Sequence, residues 1–420
     1  MVYKSYECGS YNIHTIKTDK FKTCHMEIIF SKNIDKKDVS TTVMLGEILA
    51  EVSKKYPTRK DLMIHLEELY RTTFYSVVTK IGKTFNTIFT LDFIDPKYIN
   101  EKSYLENVLK FPFEMIESPL VKNDEFDLKT FNIVKDRLIR DLKSINEEPM
   151  KKVCRKSLEI MDKDSYSAIF TPGSEEELNK VTPSSLYKAY QKFFKENTCN
   201  IFLVGNIDMD EAVNVIKKNF HNRIICNNKL EFYADNKLVK KEKIVSEDSD
   251  FAQTNLVMLF NIDKITKRER DVVFFVLNYI LGTGGLNSKL YKNIRENNSL
   301  CYAINSLYLK YDNLLLVQSS LEEENVKKAC TLVKKCLKDM TKGDFTDEDI
   351  KNAKNNLIVS LKMCEDNVVS LVNNYVFSVL DDFPLIDERV KMYGSVTREE
   401  IIKLAKKIKI NTTYILKGGK

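Results

Sequence analysis

The stretch GTGGLNSKLYKNIRENNSLCYAINSLYL, which runs from Gly282 to Leu309, decides the predicted fold. The three glycines Gly282, Gly284 and Gly285 predict a tight turn, because glycine permits positive φ and close backbone approach. Apolar residues at helical spacing follow, and the residues from Leu300 onward are rich in strand formers. The pattern therefore predicts a glycine turn, a short amphipathic helix and a strand, in that order.

Two polar side chains lie on either side of the break between this helix and this strand. Arg295 is at the predicted helix end, and Tyr302 follows seven residues later at the head of the strand. Both side chains can face one cavity, where a guanidinium and a phenol are strong hydrogen-bond donors. An exposed arginine and a core tyrosine are the alternative interpretation of the same pair.

The composition is that of a folded, multidomain protein. The chain has 420 residues, of which 43% are hydrophobic and 30% charged. The 66 basic and 60 acidic residues are dispersed, and no basic stripe interleaves with aromatic residues, so no nucleic-acid partner is expected. No apolar run of about eighteen residues and no apolar leader segment occurs, so neither a membrane partner nor a signal peptide is expected. The nine cysteines contain no C-x-x-C pair, which favours free thiols in a cytoplasm.

The pattern of the second half repeats that of the first half. The strands that end at Phe30 and Phe260 are 230 residues apart, and the strands around Tyr75 and Tyr302 are 227 apart. A third pair of strands is offset by 228 residues. Such a constant offset over three elements indicates two copies of one domain.

The predicted fold class is α+β, with two duplicated domains that are each a mainly antiparallel sheet covered by helices. Hairpin signals such as Gly82-Lys83 favour antiparallel pairing, with helices over one face of each sheet. We assign residues 1–226 to the first domain, residues 227–249 to a charged linker and residues 250–420 to the second domain.

The glycine turn, followed by S-x-L-Y, I-R-E and S-L-C-Y in fixed register, resembles the insulinase/pitrilysin-type metallopeptidases over nearly the whole chain. The chain is similar in particular to the small two-domain processing-protease branch, whose members work as dimers. In that family the arginine and tyrosine that match Arg295 and Tyr302 bind the substrate backbone and steady the developing oxyanion. Donors aimed at developing charge are a large catalytic contribution. The resemblance also implies that Gly282, Gly284 and Gly285 let a substrate or partner backbone approach.

The same resemblance implies a zinc site that this sequence does not supply. The family carries its zinc on an H-x-x-E-H helix of the first domain, and the corresponding residues Val43 to Glu47 contain no histidine. The third ligand would fall near Arg140 or Asp141, where the usual pattern is also missing. No two of the four histidines lie four residues apart, and His65 begins only an H-x-x-E fragment. The sequence therefore predicts no metal site in this chain.

These features together predict a non-catalytic subunit, similar to the bacterial members of this branch that lack the zinc motif. It is expected to form a cytoplasmic heterodimer with a zinc-bearing insulinase-like subunit, or a homodimer in its absence. Arg295 and Tyr302 would then serve the partner's active site, where zinc is expected. The substrates would be peptides bound in an extended form, with strand addition to a sheet edge as one mode.

Two alternatives remain open. A catalytically inert scaffold or peptide-binding protein of the same fold has no physical reason to keep the Arg295 and Tyr302 pair. A peptidase with an unfamiliar site of its own is disfavoured, because a zinc site needs about three protein ligands.

Overall fold

The computed structural model describes residues 1–418. Within this range the strands are β1 Val2–Glu7, β2 Asn12–Lys17, β3 Thr23–Asn33, β4 Thr73–Ile81, β5 Thr84–Ile94, β6 Val121–Lys122, β7 Glu125–Phe126, β8 Thr198–Gly205, β9 Lys243–Asp248, β10 Thr254–Ile262, β11 Cys301–Leu309, β12 Leu314–Leu321 and β13 Ile408–Lys417. The α-helices are α1 Val39–Ile48, α2 Arg59–Glu68, α3 Tyr104–Glu117, α4 Leu128–Glu147, α5 Pro149–Met161, α6 Glu175–Lys180, α7 Pro183–Glu196, α8 Met209–Asn219, α9 Phe274–Asn278, α10 Val326–Lys342, α11 Asp347–Cys364, α12 Val368–Asp381, α13 Ile386–Gly394 and α14 Arg398–Ala405. No helix in the described part of the chain combines the length and apolar character needed to cross a lipid bilayer.

The chain divides into two compact units. Unit 1 consists of Met1–Lys143, Phe170–Phe232 and Val368–Asn373, and unit 2 consists of Ser144–Ile169, Tyr233–Asn367 and the described residues from Asn374 onward. This division differs from the predicted boundary, which placed everything before residue 227 in the first domain. The difference arises because α5 packs against β10 and β13, so this helix belongs to the sheet of unit 2.

The two sheets have the same strand order. In unit 1 the order is β4-β5-β3-β8-β2-β1, and in unit 2 it is β11-β12-β10-β13-β9. The pairs β2 with β8 and β9 with β13 are parallel, and the other neighbours are antiparallel. The shared order confirms the predicted duplication and the α+β class with mainly antiparallel sheets.

The predicted linker contains the first strand of the second sheet. β9 pairs with β13 in a register that runs from Lys243 opposite Thr412 to Asp248 opposite Lys417. β9 is thus the counterpart of β2, which pairs with β8 in the same parallel sense. The second copy therefore begins before residue 250, and the predicted linker range of 227–249 is too long at its carboxyl end.

The helices of unit 1 cover one face of its sheet with a core of aromatic side chains. The ring centroid of Phe30 lies 4.7 Å from that of Phe193 on α7 and 6.1 Å from that of Phe89 on β5. Phe113 on α3 stacks on Phe220 with centroids 4.9 Å apart. Aromatic pairs of this kind add about 0.5–1.5 kcal/mol beyond the burial of their area.

The sheet of unit 2 has helices on both faces, whereas the sequence predicted one covered face. On one face Leu256, Met258 and Phe260 of β10 pack into a buried cluster with residues of α9, α10 and α14. On the other face lies α5, where the Cys154 thiol donates to Gln318 of β12 at 3.2 Å. The prediction missed this layer because α5 comes from sequence that precedes β9 by about eighty residues.

Candidate functional site

The segment that carries Arg295 is wound as a π-type helix. Residues Tyr291–Glu296 form this turn, and the Asn297 N–H donates to the carbonyl of Lys292, five residues back, at 2.9 Å. Ile294 is fully buried and anchors the turn in the core, while Arg295 is half-buried beside it. The predicted amphipathic helix is present, but its winding differs from that of an α-helix. Single π-type turns are frequent at functional sites.

The helix ends in a pair of backbone hydrogen bonds that turn the chain toward β11. The Ser299 N–H donates to the carbonyl of Arg295 at 2.9 Å, and the Leu300 N–H donates to the carbonyl of Ile294 at 3.1 Å. Ser299 has a φ of 51°, so it occupies the left-handed position that terminates such helices. The helix break predicted before Leu300 is therefore confirmed, and the reversal brings Arg295 beside the start of the next strand.

Tyr302 lies in a β-bulge on an edge strand. β11 is at one end of the sheet of unit 2 and pairs with β12, where Cys301 faces Leu321 and Ala303 faces Ser320. Tyr302 is the extra residue between these two pairs. A bulge of this kind redirects the side chain of the extra residue, and Tyr302 is 78% exposed.

The structure brings Arg295 and Tyr302 together. The guanidinium carbon of Arg295 lies 4.8 Å from the ring centroid of Tyr302 and 4.9 Å from that of Tyr291. Within residues 1–418, neither the guanidinium N–H groups nor the Tyr302 hydroxyl has a hydrogen-bond or ion-pair partner. The cation–π contacts thus orient the two side chains relative to each other. The N–H groups of Arg295 and the hydroxyl of Tyr302 remain available to another molecule. Sequence reasoning missed Tyr291, although its position four residues before Arg295 places both on one helical face.

The three glycines of the turn have different structural roles. Gly285 has a φ of +60°, and a Cβ added there would meet no heavy atom within 4 Å. A Cβ on Gly282 would overlap the side chain of Ser306, and one on Gly284 would overlap the carbonyl of Tyr279. Positive φ is thus confined to Gly285, whereas Gly282 and Gly284 are required by close packing inside unit 2.

An arginine occupies the place where the family resemblance would put zinc ligands. Glu47 on α1 accepts from Nη2 of Arg137 on α4 at 2.7 Å, and Glu51 accepts from Nη1 at 2.6 Å. Burial raises the pKa of Glu47, while the Arg137 guanidinium opposes this shift. The donors do not fit zinc, because residues 43–47 supply one carboxylate and this carboxylate already holds a cation. Sequence reasoning missed Arg137, which lies one helical turn before Asp141.

No group of three or more His, Cys, Asp or Glu side chains in the described residues is arranged to hold a metal ion. The four histidines instead have separate local partners within unit 1. These contacts are His14 with Tyr3 and Asn200, His25 with Glu27 and Asp92, His65 with Tyr56, and His221 with Glu117.

His25 is the most deeply buried of these four histidines, with 1% of its surface exposed. Its Nδ1 lies 2.6 Å from a carboxylate oxygen of Asp92, and its Nε2 lies 3.1 Å from one of Glu27. Burial acts to lower the pKa of His25, but the hydrogen bonds to Asp92 and Glu27 outweigh it and raise the pKa to about 9. His25 is therefore an imidazolium at neutral pH and joins β3 to β5.

The free energy of unfolding is expected to fall as the pH rises from about 6.5 to 9. The folded-state pKa of about 9 lies above the ordinary value of 6.5, so the stabilisation is complete below pH 6.5 and is lost as the pH rises through 9. At about 1.4 kcal/mol per pKa unit, the loss is at most about 3 kcal/mol. Urea unfolding across this pH range measures it. His25→Gln should flatten the dependence of the free energy of unfolding on pH. His221→Gln, at an exposed site, is the control and should leave this dependence unchanged. A pH-independent free energy of unfolding in the wild type would contradict the assignment.

The fold and the site define a duplicated α+β protein of peptidase-like architecture, and comparisons with known proteins agree with this class. Residues 180–357 match the family model described as the peptidase M16 inactive domain. The "Probable inactive metalloprotease YmfF" of Bacillus subtilis is 27% identical over 421 residues, which cover 98% of this chain and 96% of that protein. The "Non-peptidase homolog YmxG" of Helicobacter pylori is 24% identical over 224 residues, which cover 49% and 48% of the two chains.

Solved structures show the same fold over the full length. A conserved protein from Enterococcus faecalis has a TM-score of 0.91 at 23% identity and covers 99% of this chain and 98% of its own. A peptidase M16 inactive domain from Pseudomonas fluorescens has a TM-score of 0.81 at 15% identity, covering 100% and 98%. The chain is therefore similar to the M16 family, the insulinase/pitrilysin-type peptidases, and the relatives described as inactive support a non-catalytic homologue.

Proposed function

We propose that this protein is the non-catalytic subunit of a cytoplasmic heterodimeric M16 peptidase. Its partner is a family member that carries the H-x-x-E-H motif and the zinc. This chain contributes Arg295 and Tyr302, which bind the peptide backbone and stabilise the oxyanion that develops in the partner's site. Zinc supplies the polarising charge in the partner, and no cofactor is assigned to this chain.

The observation that carries the proposal is the contact between Arg295 and Tyr302, whose side-chain donors have no hydrogen-bond or ion-pair partner within residues 1–418. Here a π-type turn and a β-bulge present both groups to solvent with the rings of Tyr291 and Tyr302 in contact with the guanidinium. This arrangement suits two groups that donate hydrogen bonds to a negatively charged oxygen of another molecule.

The edge position of β11 suggests how an extended substrate is held. β11 pairs with β12 alone among the described strands, so its other edge can accept backbone hydrogen bonds from a peptide. A peptide added along β11 would pass Tyr302 at the head of the strand. Gly285 has a left-handed φ, and an added Cβ would meet no described heavy atom within 4 Å, so its own turn leaves room for an approaching backbone.

The test is reconstitution with a family member from the same cell that carries H-x-x-E-H. Hydrolysis of a quenched fluorescent peptide is measured for each protein alone and for the mixture. Activity that appears only when the two proteins are mixed supports the proposal. Activity of this chain alone would overturn it in favour of an independent peptidase. No activity and no co-elution of the two chains would instead favour an inert scaffold or peptide-binding protein.

The purified chain is expected to contain substoichiometric zinc after expression with added zinc. The reason is that Glu47, the carboxylate in the segment corresponding to the zinc motif, is held by the Arg137 guanidinium. Elemental analysis by mass spectrometry measures the zinc content, with the zinc-bearing partner purified in parallel as the positive control. One zinc ion per chain would contradict this assignment.

A further inference from the structure

The second sheet has an open edge that is distinct from the edge formed by β11. β9 lies at the opposite end of this sheet, and its described neighbour is β13 alone. None of the backbone hydrogen bonds described outside the regular ladders involves residues 243–247. The outward edge of β9 is therefore available for pairing.

The first copy of the domain shows how a strand pairs with the corresponding sheet edge. In unit 1 the counterpart of β9 is β2, and β2 is covered by β1 in an antiparallel register that runs from Val2 opposite Lys17 to Glu7 opposite Asn12. In unit 2 no described strand takes the position of β1. The duplicated topology thus leaves one strand position vacant, and an antiparallel strand fits the geometry of that position.

An apolar groove lies beside the open edge, between the sheet and α10. Its volume is about 390 Å³, and its apolar lining includes Ile244 of β9, Ile415 of β13, and Val326 and Cys330 of α10. Ile244 is 64% exposed, although it is a large apolar residue on an edge strand. A strand added to β9 would direct alternate side chains to the same face as Ile244, and hence into this groove.

The charged groups around the groove favour an acidic occupant. Lys334 pairs with Glu242 at 2.6 Å, and Lys417 pairs with Glu323 at 2.8 Å. Lys327, which also lines the groove, forms no ion pair within residues 1–418. The groove therefore keeps one uncompensated positive charge after its internal pairs are formed.

The solvent side of α10 extends this positive charge along the groove. The helix contains six lysines and a single acidic residue, Asp339. Exposed lysines recur at helical spacing on the side away from the core, at Lys327, Lys328, Lys335 and Lys338, in addition to Lys334, which is paired with Glu242. Such a one-signed helix face attracts and orients an oppositely charged partner.

We propose that β9 and α10 form a docking site for an extended acidic segment of another protein. The segment pairs antiparallel with β9, places aliphatic side chains in the groove beside Ile244, and directs carboxylates toward Lys327 and the lysine face of α10. The proposal does not depend on the role of Arg295 and Tyr302, which lie at the other edge of the sheet. A single-stranded nucleic acid is disfavoured as the occupant, because no aromatic side chain lines the groove to stack on bases.

The probe is a fluorescein-labelled peptide of about eight residues that alternates leucine or valine with glutamate. Fluorescence polarisation gives its Kd for the full chain. One control peptide has lysine in place of glutamate, and another has proline at alternate positions, which prevents strand pairing. Hydrogen exchange of residues 243–248 with and without peptide reports directly on the edge of β9.

Ile244→Lys and Lys327→Glu are each expected to raise the Kd of the acidic peptide by roughly tenfold or more. Val359→Lys, at an exposed apolar position on α11, is the matched control and should leave the Kd unchanged. Thermal melting verifies that each variant is folded, which is expected because both tested side chains are exposed. Slower exchange of residues 243–248 in the presence of the acidic peptide would support strand pairing.

Four results with the peptide probe would overturn the proposal, and one result on the oligomeric state would do so as well. The four are equal binding by Ile244→Lys and wild type, equal binding of the lysine peptide, no binding of the acidic peptide at millimolar concentration, and displacement of the peptide by a single-stranded oligonucleotide at lower concentration. Dimers of the wild-type chain that Ile244→Lys dissociates would also overturn it, in favour of a second copy at this edge.

Discussion

Arg295→Ala is expected to slow peptide hydrolysis by the assembled subunit pair by roughly tenfold to a thousandfold, a range whose upper part is the roughly hundredfold to thousandfold loss typical when one oxyanion donor is removed. The loss should appear mainly in kcat, because a donor aimed at developing negative charge binds the transition state more strongly than the substrate. Arg295→Lys should restore little of the rate, since an ammonium cannot reproduce the planar array of N–H donors of a guanidinium. Tyr302→Phe removes the hydroxyl alone and should give a loss within the same range.

Steady-state kinetics of the reconstituted pair, with co-elution as the test of assembly, measure these effects. Lys292→Ala, from the same π-type turn, is the control for a lost positive charge, and Tyr98→Phe is the control for a lost exposed hydroxyl. Neither Arg295 nor Tyr302 holds an ion pair in the described structure, so the stability of this chain should change by less than about 1 kcal/mol. Unchanged turnover by a properly assembled Arg295→Ala pair would remove the proposed role.

The fold could be predicted from the sequence to the extent that it depends on local patterns. Alternating apolar residues, hairpin signals and the constant offset between halves identified the strands β3, β4 and β5 and their counterparts β10, β11 and β12. The strand β9 escaped prediction, because its sequence KIVSED is short and charged and resembles a linker. Its place is set by pairing with β13, which lies more than 160 residues later in the chain.

The candidate site was predictable in its residues but not in its geometry. The spacing of Arg295 and Tyr302 indicated that the two lie together, but the π-type winding and the bulge depend on how Ile294 packs and how β11 pairs with β12. The ion pair of Arg137 with Glu47 joins two helices that are ninety positions apart. No local pattern carries that information, because long-range ion pairs follow from the packing of helices.

Lys310→Met is expected to destabilise the protein by about 3–5 kcal/mol, the usual cost of removing one partner from a buried ion pair. Lys310 follows β11 in the turn to β12, and its Nζ lies 3.2 Å from Asp271 and 3.0 Å from Asp381. The side chains of these three residues are 10%, 1% and 7% exposed. Burial lowers the pKa of Lys310, and the two carboxylates oppose that shift and help to keep it charged.

Urea unfolding of unit 2, followed in the full chain by a tyrosine or circular-dichroism signal, measures the loss. Lys267 provides a matched control, because its Nζ lies 3.4 Å from the same Asp271 but its side chain is 49% exposed. Lys267→Met should therefore cost less than about 1 kcal/mol, as exposed ion pairs usually do. Adding Asp271→Asn to Lys310→Met should recover part of the stability, because it removes one of the two buried carboxylates that have lost their contact with Lys310.

Arg295 precedes β11 and Lys310 follows it. Substitutions of these two residues are expected to separate an effect on turnover from an effect on stability. The two cations lie near opposite ends of β11, yet Lys310 pairs with two buried carboxylates whereas Arg295 forms no ion pair in the described structure. Lys310→Met should thus lower stability and leave the turnover of the remaining folded pair unchanged, whereas Arg295→Ala should do the reverse. Equal small losses of stability for Lys310→Met and Lys267→Met would show that solvent reaches Asp271. A fall in turnover of folded Lys310→Met would instead show that the Asp271 and Asp381 cluster also positions Tyr302 through β11.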